Sequence, residues 1–114
     1  MSTTDECIWI YRGQCIKIID GDTVVIRTDL GFNVYRDQRF RLLRVNTPEL
    51  RDPNPELRAK ALEAKDALIL MVLNKQVKVT SFKNKADKYG RYLCELEVAG
   101  QSVNDLLIQM GYKA

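Results

Sequence analysis

The sequence predicts a mainly β protein with helices, an α+β fold in which five short strands form a small, partly closed barrel. Length and composition give the first support, because 114 residues, 46% of them apolar, can build one domain around one core. Hydrophobic periodicity gives the second, because short runs of β type are interrupted once by a longer run with helical spacing. We therefore expect residues 1–114 to form a single domain.

The first three strands are expected to form a meander. They cover residues 7–11 continued by residues 15–19, then residues 23–28, and then residues 32–45. The first turn of the meander is Asp-Gly-Asp at residues 20–22, and the second is Asp-Leu-Gly at residues 29–31. Thr47-Pro48 ends the third strand, because proline cannot donate a hydrogen bond to a neighbouring strand.

A long helix is expected next. Asn54-Pro55-Glu56 is typical of a helix start, with an N-cap residue, proline at the first helical position and an acid in the first turn. Apolar residues follow at helical spacing and predict one buried face: Leu57, Ala61, Ala64, Leu68, Met71 and Val72.

Two strands and a second helix complete the prediction. A fourth strand is expected around Val77, Val79 and Phe82, and a fifth over residues 92–98, with a basic loop at residues 83–91 between them. Ser102 is expected to cap the last helix and Gly111 to end it. The order β-β-β-α-β-β-α fits a barrel of the oligonucleotide-binding type, which often binds a polyanion across one face.

The composition excludes several kinds of chemistry. With no histidine, the chain cannot use an imidazole base, an imidazole metal ligand, or a Ser-His or Cys-His pair. Cys7, Cys15 and Cys94 are too few for a four-ligand zinc site; buried thiols are expected, with a Cys7–Cys15 disulfide as the alternative under oxidation. The net charge of +3 permits a polyanionic partner without requiring one.

Nothing in the sequence predicts a membrane segment. The longest apolar run, residues 67–73, is too short to span a bilayer. Residues 1–10 contain two acids and no basic residue, which is unlike a secretory signal. We therefore expect a cytoplasmic protein without membrane contact, with secretion as the alternative if a leader has been removed.

Two acidic turns are candidates for chemistry. Residues 20–23 (Asp-Gly-Asp-Thr) and residues 46–49 (Asn-Thr-Pro-Glu) each follow a predicted strand. If the turns meet, carboxylate, amide and backbone oxygens converge, and these are the ligands that Ca²⁺ prefers. Arg41 and Arg91 offer paired donors suited to phosphate oxygens. Taken singly, each of these features is more typical of an ordinary turn or a surface arginine than of a functional site.

Three sequence blocks together resemble the staphylococcal (thermonuclease-like) nuclease family. They are Ile-Asp-Gly-Asp-Thr-Val at residues 19–24, Arg-Leu-Leu-Arg-Val-Asn-Thr-Pro-Glu at residues 41–49, and Asp-Lys-Tyr-Gly-Arg at residues 87–91. Their order and approximate spacing match the family, and the resemblance extends over roughly residues 14–112. It implies a Ca²⁺-dependent phosphodiesterase that cuts DNA and RNA with little sequence preference and leaves 3′-phosphate ends.

The resemblance also implies roles for individual residues. Asp22 resembles the principal carboxylate ligand of Ca²⁺, Asn46 occupies the second ligand position, and Thr47 would offer its backbone oxygen. Glu49 resembles the residue that positions or deprotonates the attacking water. The remaining positions are the phosphate-binding Arg41 and Arg91, the nucleotide-groove residues Lys88 and Tyr89, and Asp20, which would support the metal ligands from behind.

The chain departs from the family archetype at two places. Asn46 stands where the archetype has aspartate, so weaker Ca²⁺ binding is expected. The chain stops at Ala114, whereas the archetype continues through substrate-contacting tyrosines, so the groove is expected to be shallower or completed by another chain.

Three functions remain open at this point. The first is a nuclease acting on DNA, RNA or both, expected as a monomer with an oligomer left open. The second is a non-catalytic nucleic-acid-binding module, which Asn46 favours and the paired arginines with Glu49 disfavour. The third is a structural or protein-interaction domain, which fits the modest charge and leaves the matched polar positions unexplained.

Overall fold

The computed structural model describes residues 8–86 and 92–113, which form six strands and two helices. The strands are β1 (Ile8–Asp20), β2 (Thr23–Asp29), β3 (Tyr35–Leu42), β4 (Gln76–Ala86), β5 (Tyr92–Val98) and the two-residue β6 (Gln101–Ser102). The helices are α1 (Pro55–Val72) and α2 (Val103–Gln109).

Strands β1 to β5 close into a mixed barrel. The strand order is β3-β2-β1-β4-β5, and all of these neighbours are antiparallel. A parallel pairing between β3 and β5 closes the barrel, with Phe40 opposite Tyr92 and Leu42 opposite Cys94. The five-stranded α+β barrel predicted from the sequence is therefore confirmed.

Strand β1 is long because it pairs with two partners. Its first half lies opposite β4, from Ile8 to Gln14, and its second half lies opposite β2, from Arg12 to Asp20. Register shifts in the second half bend the strand, as β-bulges do. At the junction, a Cβ on Gly13 would lie 2.5 Å from the carbonyl oxygen of Arg27, so only glycine fits there.

Strand β3 is shorter than the predicted residues 32–45, and both ends have a backbone explanation. Phe32 and Asn33 have φ values of 57° and 61°, so the turn after β2 extends beyond the predicted Asp-Leu-Gly. At the other end Arg44 has a φ of 67°, which ends the strand before Val45. Strand β6 was absent from the predicted order; its two residues extend the edge of β5.

Both predicted helix caps are present. The side chain of Asn54 accepts a hydrogen bond from the amide of Glu56, and Ser102 accepts one from the amide of Asp105. Helix α1 buries Ala61, Ala64, Leu68 and Val72 against the barrel, while Met71 is half-buried. Leu57 does not belong to this buried face as predicted, because it lies in the first turn and is 36% exposed. Gly111 follows α2 with a φ of 101°, the left-handed end that was expected.

The cysteines with described positions are buried free thiols, Cys15 inside β1 and Cys94 inside β5. Burial raises the pKa of the Cys15 thiol to about 11 and also raises the pKa of Cys94. Cys7 lies outside the described residues. Within the described part of the chain, neither helix combines the length and apolar character needed to cross a bilayer.

Candidate functional site

The Asp-Gly-Asp turn between β1 and β2 is fixed by close packing at Gly21. A Cβ on Gly21 would lie 2.7 Å from the Cβ of Ala64 in α1 and 3.0 Å from Cγ2 of Thr47. The first distance is shorter than real Cβ contacts and the second is tight, so glycine allows the turn to dock on the helix and on the loop after β3. The packing brings the two acidic turns of the sequence together.

Asp22 is largely buried and is held from two directions. Asp22 is 8% exposed, and its Oδ1 accepts a hydrogen bond of 3.0 Å from the hydroxyl of Thr23. Its Oδ2 lies 3.6 Å from Nη2 of Arg41, across the pairing of β2 with β3. The backbone carbonyl of Asp22 also accepts a hydrogen bond from the amide of Leu42. One carboxylate is thus positioned beside one guanidinium.

Buried polar contacts hold the loop that follows β3. Asn104 in α2 is fully buried; its amide nitrogen donates to the carbonyls of Leu43 and Cys94, and its oxygen accepts from the amide of Leu96. These three bonds tie the end of β3 to β5 and α2. The Asn104 side chain, which was not among the predicted site residues, is therefore a supporting element of the site.

A second set of contacts holds the same loop from outside. Arg44 forms a bidentate ion pair with Glu95 and a further one with Asp105, and these hydrogen bonds raise the pKa of the Arg44 guanidinium. The amide of Asn46 donates to the carbonyl of Tyr112 at 3.1 Å. Tyr112 in turn donates its hydroxyl to Glu63 of α1 at 2.9 Å; burial, followed by this hydrogen bond, raises its pKa.

The residues of the loop after β3 differ in their exposure to solvent. Thr47 is buried at 9% exposure, with its side chain against Gly21. Asn46 and Glu49 are exposed, and the carbonyl of Glu49 accepts a hydrogen bond from the amide of Asp52. Two side chains with oxygen atoms therefore face solvent beside the buried Asp22.

These residues meet in one cleft of about 600 Å³. Its described lining residues include every predicted site residue whose position is described: Asp20, Asp22, Arg41, Asn46, Thr47 and Glu49. The structure thus brings together the two acidic turns and one of the two predicted arginines. The predicted Arg91, Lys88 and Tyr89 lie outside the described residues.

Two further arginines line the cleft and were not among the predicted site residues. Arg39 lies two residues before Arg41 on β3, so both side chains point to the same face of the strand. The spacing of two residues from Arg41 is the feature of the sequence that could have identified Arg39 as a site residue. Arg51 follows the acidic loop, and no local sequence pattern distinguishes it from a surface residue.

The cleft is lined by several oxygen donors. The described part of the chain contains no group of three His, Cys, Asp or Glu side chains arranged to hold a metal ion. A cation in the cleft would therefore draw on the Asn46 amide oxygen or on backbone oxygen in addition to carboxylates such as that of Asp22. Such an all-oxygen set is typical of Ca²⁺ ligation.

Comparisons with known proteins place the chain in a family. The family model described as "Staphylococcal nuclease homologue" matches residues 39–114, more than half of the chain. The protein named thermonuclease from Staphylococcus hyicus is 30% identical over 98 residues, which are 86% of this chain and 55% of that protein. The thermonuclease of Staphylococcus intermedius is 30% identical over 95 residues, 83% of this chain and 54% of that protein. The chain thus spans a little over half the length of these relatives, and it belongs to the staphylococcal nuclease homologue family.

Proposed function

We propose that the protein is a Ca²⁺-dependent endonuclease that hydrolyses phosphodiester bonds of DNA, RNA or both with little sequence specificity and leaves 3′-phosphate ends. One observation carries the proposal: the carboxylate of Asp22 and the guanidinium of Arg41 lie side by side in a cleft that also contains Glu49. Family membership and relatives named thermonuclease support the same reaction class.

Asp22, the side-chain oxygen of Asn46 and the backbone oxygen of Thr47 are the proposed Ca²⁺ ligands. Bound there, the ion would offset negative charge on the phosphate and orient its oxygens. Asp22 can serve as the anionic ligand because its position is fixed by Thr23 and by the packing of Gly21. Asp20 lines the same cleft and would support this ligand set.

Among the residues that the structure describes, Arg41 is the one proposed to bind the phosphate. Its side chain is one-quarter exposed, and its contact with Asp22 is a long ion pair of 3.6 Å, so its donors can turn to a phosphate oxygen at small cost. Donors fixed where charge develops stabilise the transition state, and loss of one such donor costs about a hundredfold or more in rate. Arg91 is proposed for the second phosphate contact, with Lys88 and Tyr89 along the nucleotide.

Glu49 is proposed to position the attacking water and to accept its proton. The carboxylate is exposed in the cleft, on the loop that also carries Asn46. A carboxylate offers two oxygens that accept hydrogen bonds, which is what a water-positioning group requires. With no histidine in the chain, this task falls to a carboxylate.

The test is cleavage of single-stranded DNA, duplex DNA and RNA by the full chain, with about 10 mM Ca²⁺ to saturate even a weak site, and with EDTA in parallel. We expect degradation in Ca²⁺ and none in EDTA, with products that a 3′-phosphatase can dephosphorylate. Equal degradation in both buffers would contradict the metal dependence, and 3′-hydroxyl products would contradict the proposed bond cleavage.

A non-catalytic nucleic-acid-binding module is the second candidate. Asn46 favours it, because the cleft then offers one fewer carboxylate to a cation than the family archetype. Binding of DNA or RNA with no cleavage in Ca²⁺ would decide for this candidate.

A further inference from the structure

A second cavity, of about 360 Å³, opens at the mouth of the barrel and lies apart from the acidic cleft. Five aromatic side chains line it: Trp9 and Tyr11 of β1, Phe40 of β3, Phe82 of β4 and Tyr92 of β5. Its volume falls within the range of about 300–1,000 Å³ that is usual for small-ligand sites. None of the roles proposed above uses this cavity.

The lining combines stacking surfaces with selected polar groups. Trp9 is 52% exposed and Tyr92 is 36% exposed, so both aromatic faces are accessible to a ligand. Arg36 is the single charged residue among the described lining residues, and Gln38 lies beside it on β3. Flat aromatic walls, an amide and one cation match an aromatic ring that carries hydrogen-bonding edges and a linked anion.

Strand β3 separates this cavity from the acidic cleft. Arg36, Gln38 and Phe40 face the mouth, whereas Arg39 and Arg41 face the cleft, because alternate side chains of a strand point to opposite faces. The two cavities therefore lie on opposite faces of the same eight-residue strand.

We infer that the barrel mouth is a binding site for one unpaired base of a single-stranded nucleic acid. Trp9 and Tyr11 supply the stacking surface, and Arg36 contacts the phosphate next to that base. The inference rests on the proposed function for its ligand class, but it concerns binding alone and needs neither the metal nor the acidic cleft. Duplex DNA, whose bases are already stacked, would not enter this site.

Trp9 makes the site directly observable, because it is the only tryptophan in the chain. The experiment follows Trp9 fluorescence of the full chain in EDTA, where cleavage is not expected, during titration with a short single-stranded oligodeoxythymidine. We expect saturable quenching, weakened about tenfold or more by Tyr11→Ala. Leu70→Ala, which changes an apolar residue that is 78% exposed on α1, is the matched control and should leave the affinity unchanged.

Three results would overturn the inference: no change in Trp9 fluorescence, equal quenching by deoxyribose 5-phosphate, which has no base, or wild-type affinity in a Tyr11→Ala variant that retains its circular dichroism spectrum. A second variant, Arg36→Gln, should also weaken binding and lower its salt dependence. Failure here is distinguishable from failure of the proposed function. A protein that cleaves in Ca²⁺ but shows no quenching lacks only the mouth site, and one that shows quenching but no cleavage retains it.

Discussion

The guanidinium of Arg41 lies 3.6 Å from the carboxylate of Asp22, and both side chains line the same cleft. One group is proposed to bind a cation and the other a phosphate. We therefore expect binding of either ligand to weaken this ion pair and to leave the second side chain more available. The pair would then couple metal binding and phosphate binding in the proposed enzyme.

Removal of Arg41 should separate these two effects. In Arg41→Ala, Ca²⁺ affinity should rise on the order of fivefold, because a positive charge beside Asp22 is lost. The cleavage rate should fall about a hundredfold or more, because a phosphate donor is lost. Calorimetric titration with Ca²⁺ and initial cleavage rates provide the two measurements, and Arg41→Lys, which keeps the charge, is the control. Unchanged Ca²⁺ affinity in Arg41→Ala would argue against the coupling.

Restoring a carboxylate at position 46 should strengthen the metal site. Asn46 is exposed in the cleft beside the buried Asp22, so Asn46→Asp adds a charged oxygen ligand without disturbing the core. We expect Ca²⁺ affinity to increase on the order of tenfold, since affinity follows the charge of the ligands. Equal affinities of the two proteins by calorimetry would remove Asn46 from the ligand set.

Gly21 should be intolerant of a side chain. In Gly21→Ala the new Cβ meets Ala64 at 2.7 Å, and the cost should be about 1–3 kcal/mol of unfolding free energy. Urea denaturation of Gly21→Ala, Ala64→Gly and the double variant forms a double-mutant cycle. The double variant should be more stable than the sum of the single effects; strict additivity would mean that the two positions do not clash.

Stability should fall at alkaline pH because of the buried thiols. The folded-state pKa of Cys15 is raised to about 11 from an ordinary value of 9.0, so its stabilising contribution is present below pH 9 and is lost as the pH rises toward 11. Cys15 should account for a loss of about 2 kcal/mol over this interval, and Cys94 acts in the same direction. Urea denaturation in reducing buffer at several pH values tests this, and Cys15→Ala should show a shallower decline than the wild type. Parallel declines would contradict the assignment.

Local chemistry in the sequence predicted much of the fold. The caps at Asn54 and Ser102 and the strand over residues 92–98 follow from nearby residues alone, and all three agree with the structure. The ends of β3 could not be predicted from nearby residues. They depend on left-handed backbone at Phe32 and Arg44, where the sequence has no glycine. The parallel closure of β3 on β5 joins segments about fifty residues apart, which local periodicity does not specify.

The candidate site divides in the same way. Composition and turn chemistry identified acidic turns suited to a cation and arginines suited to phosphate, but only the family resemblance gave individual residues their roles. Their meeting in one cleft depends on the packing of Gly21 against Thr47 and α1, a contact between distant parts of the chain. Arg51 and Asn104 were missed as site and supporting residues because their contribution arises only from tertiary contacts.

The most direct test of the proposed nuclease is the Glu49→Gln variant, measured for Ca²⁺-dependent DNA cleavage and, in parallel, for DNA binding. Glu97→Gln is the matched control, because Glu97 pairs with Lys78 at 3.9 Å and does not line the cleft. If Glu49 positions and deprotonates the water, Glu49→Gln should cleave about a hundredfold or more slowly with binding retained, and Glu97→Gln should match the wild type. Wild-type cleavage by Glu49→Gln would contradict the proposed role of the cleft.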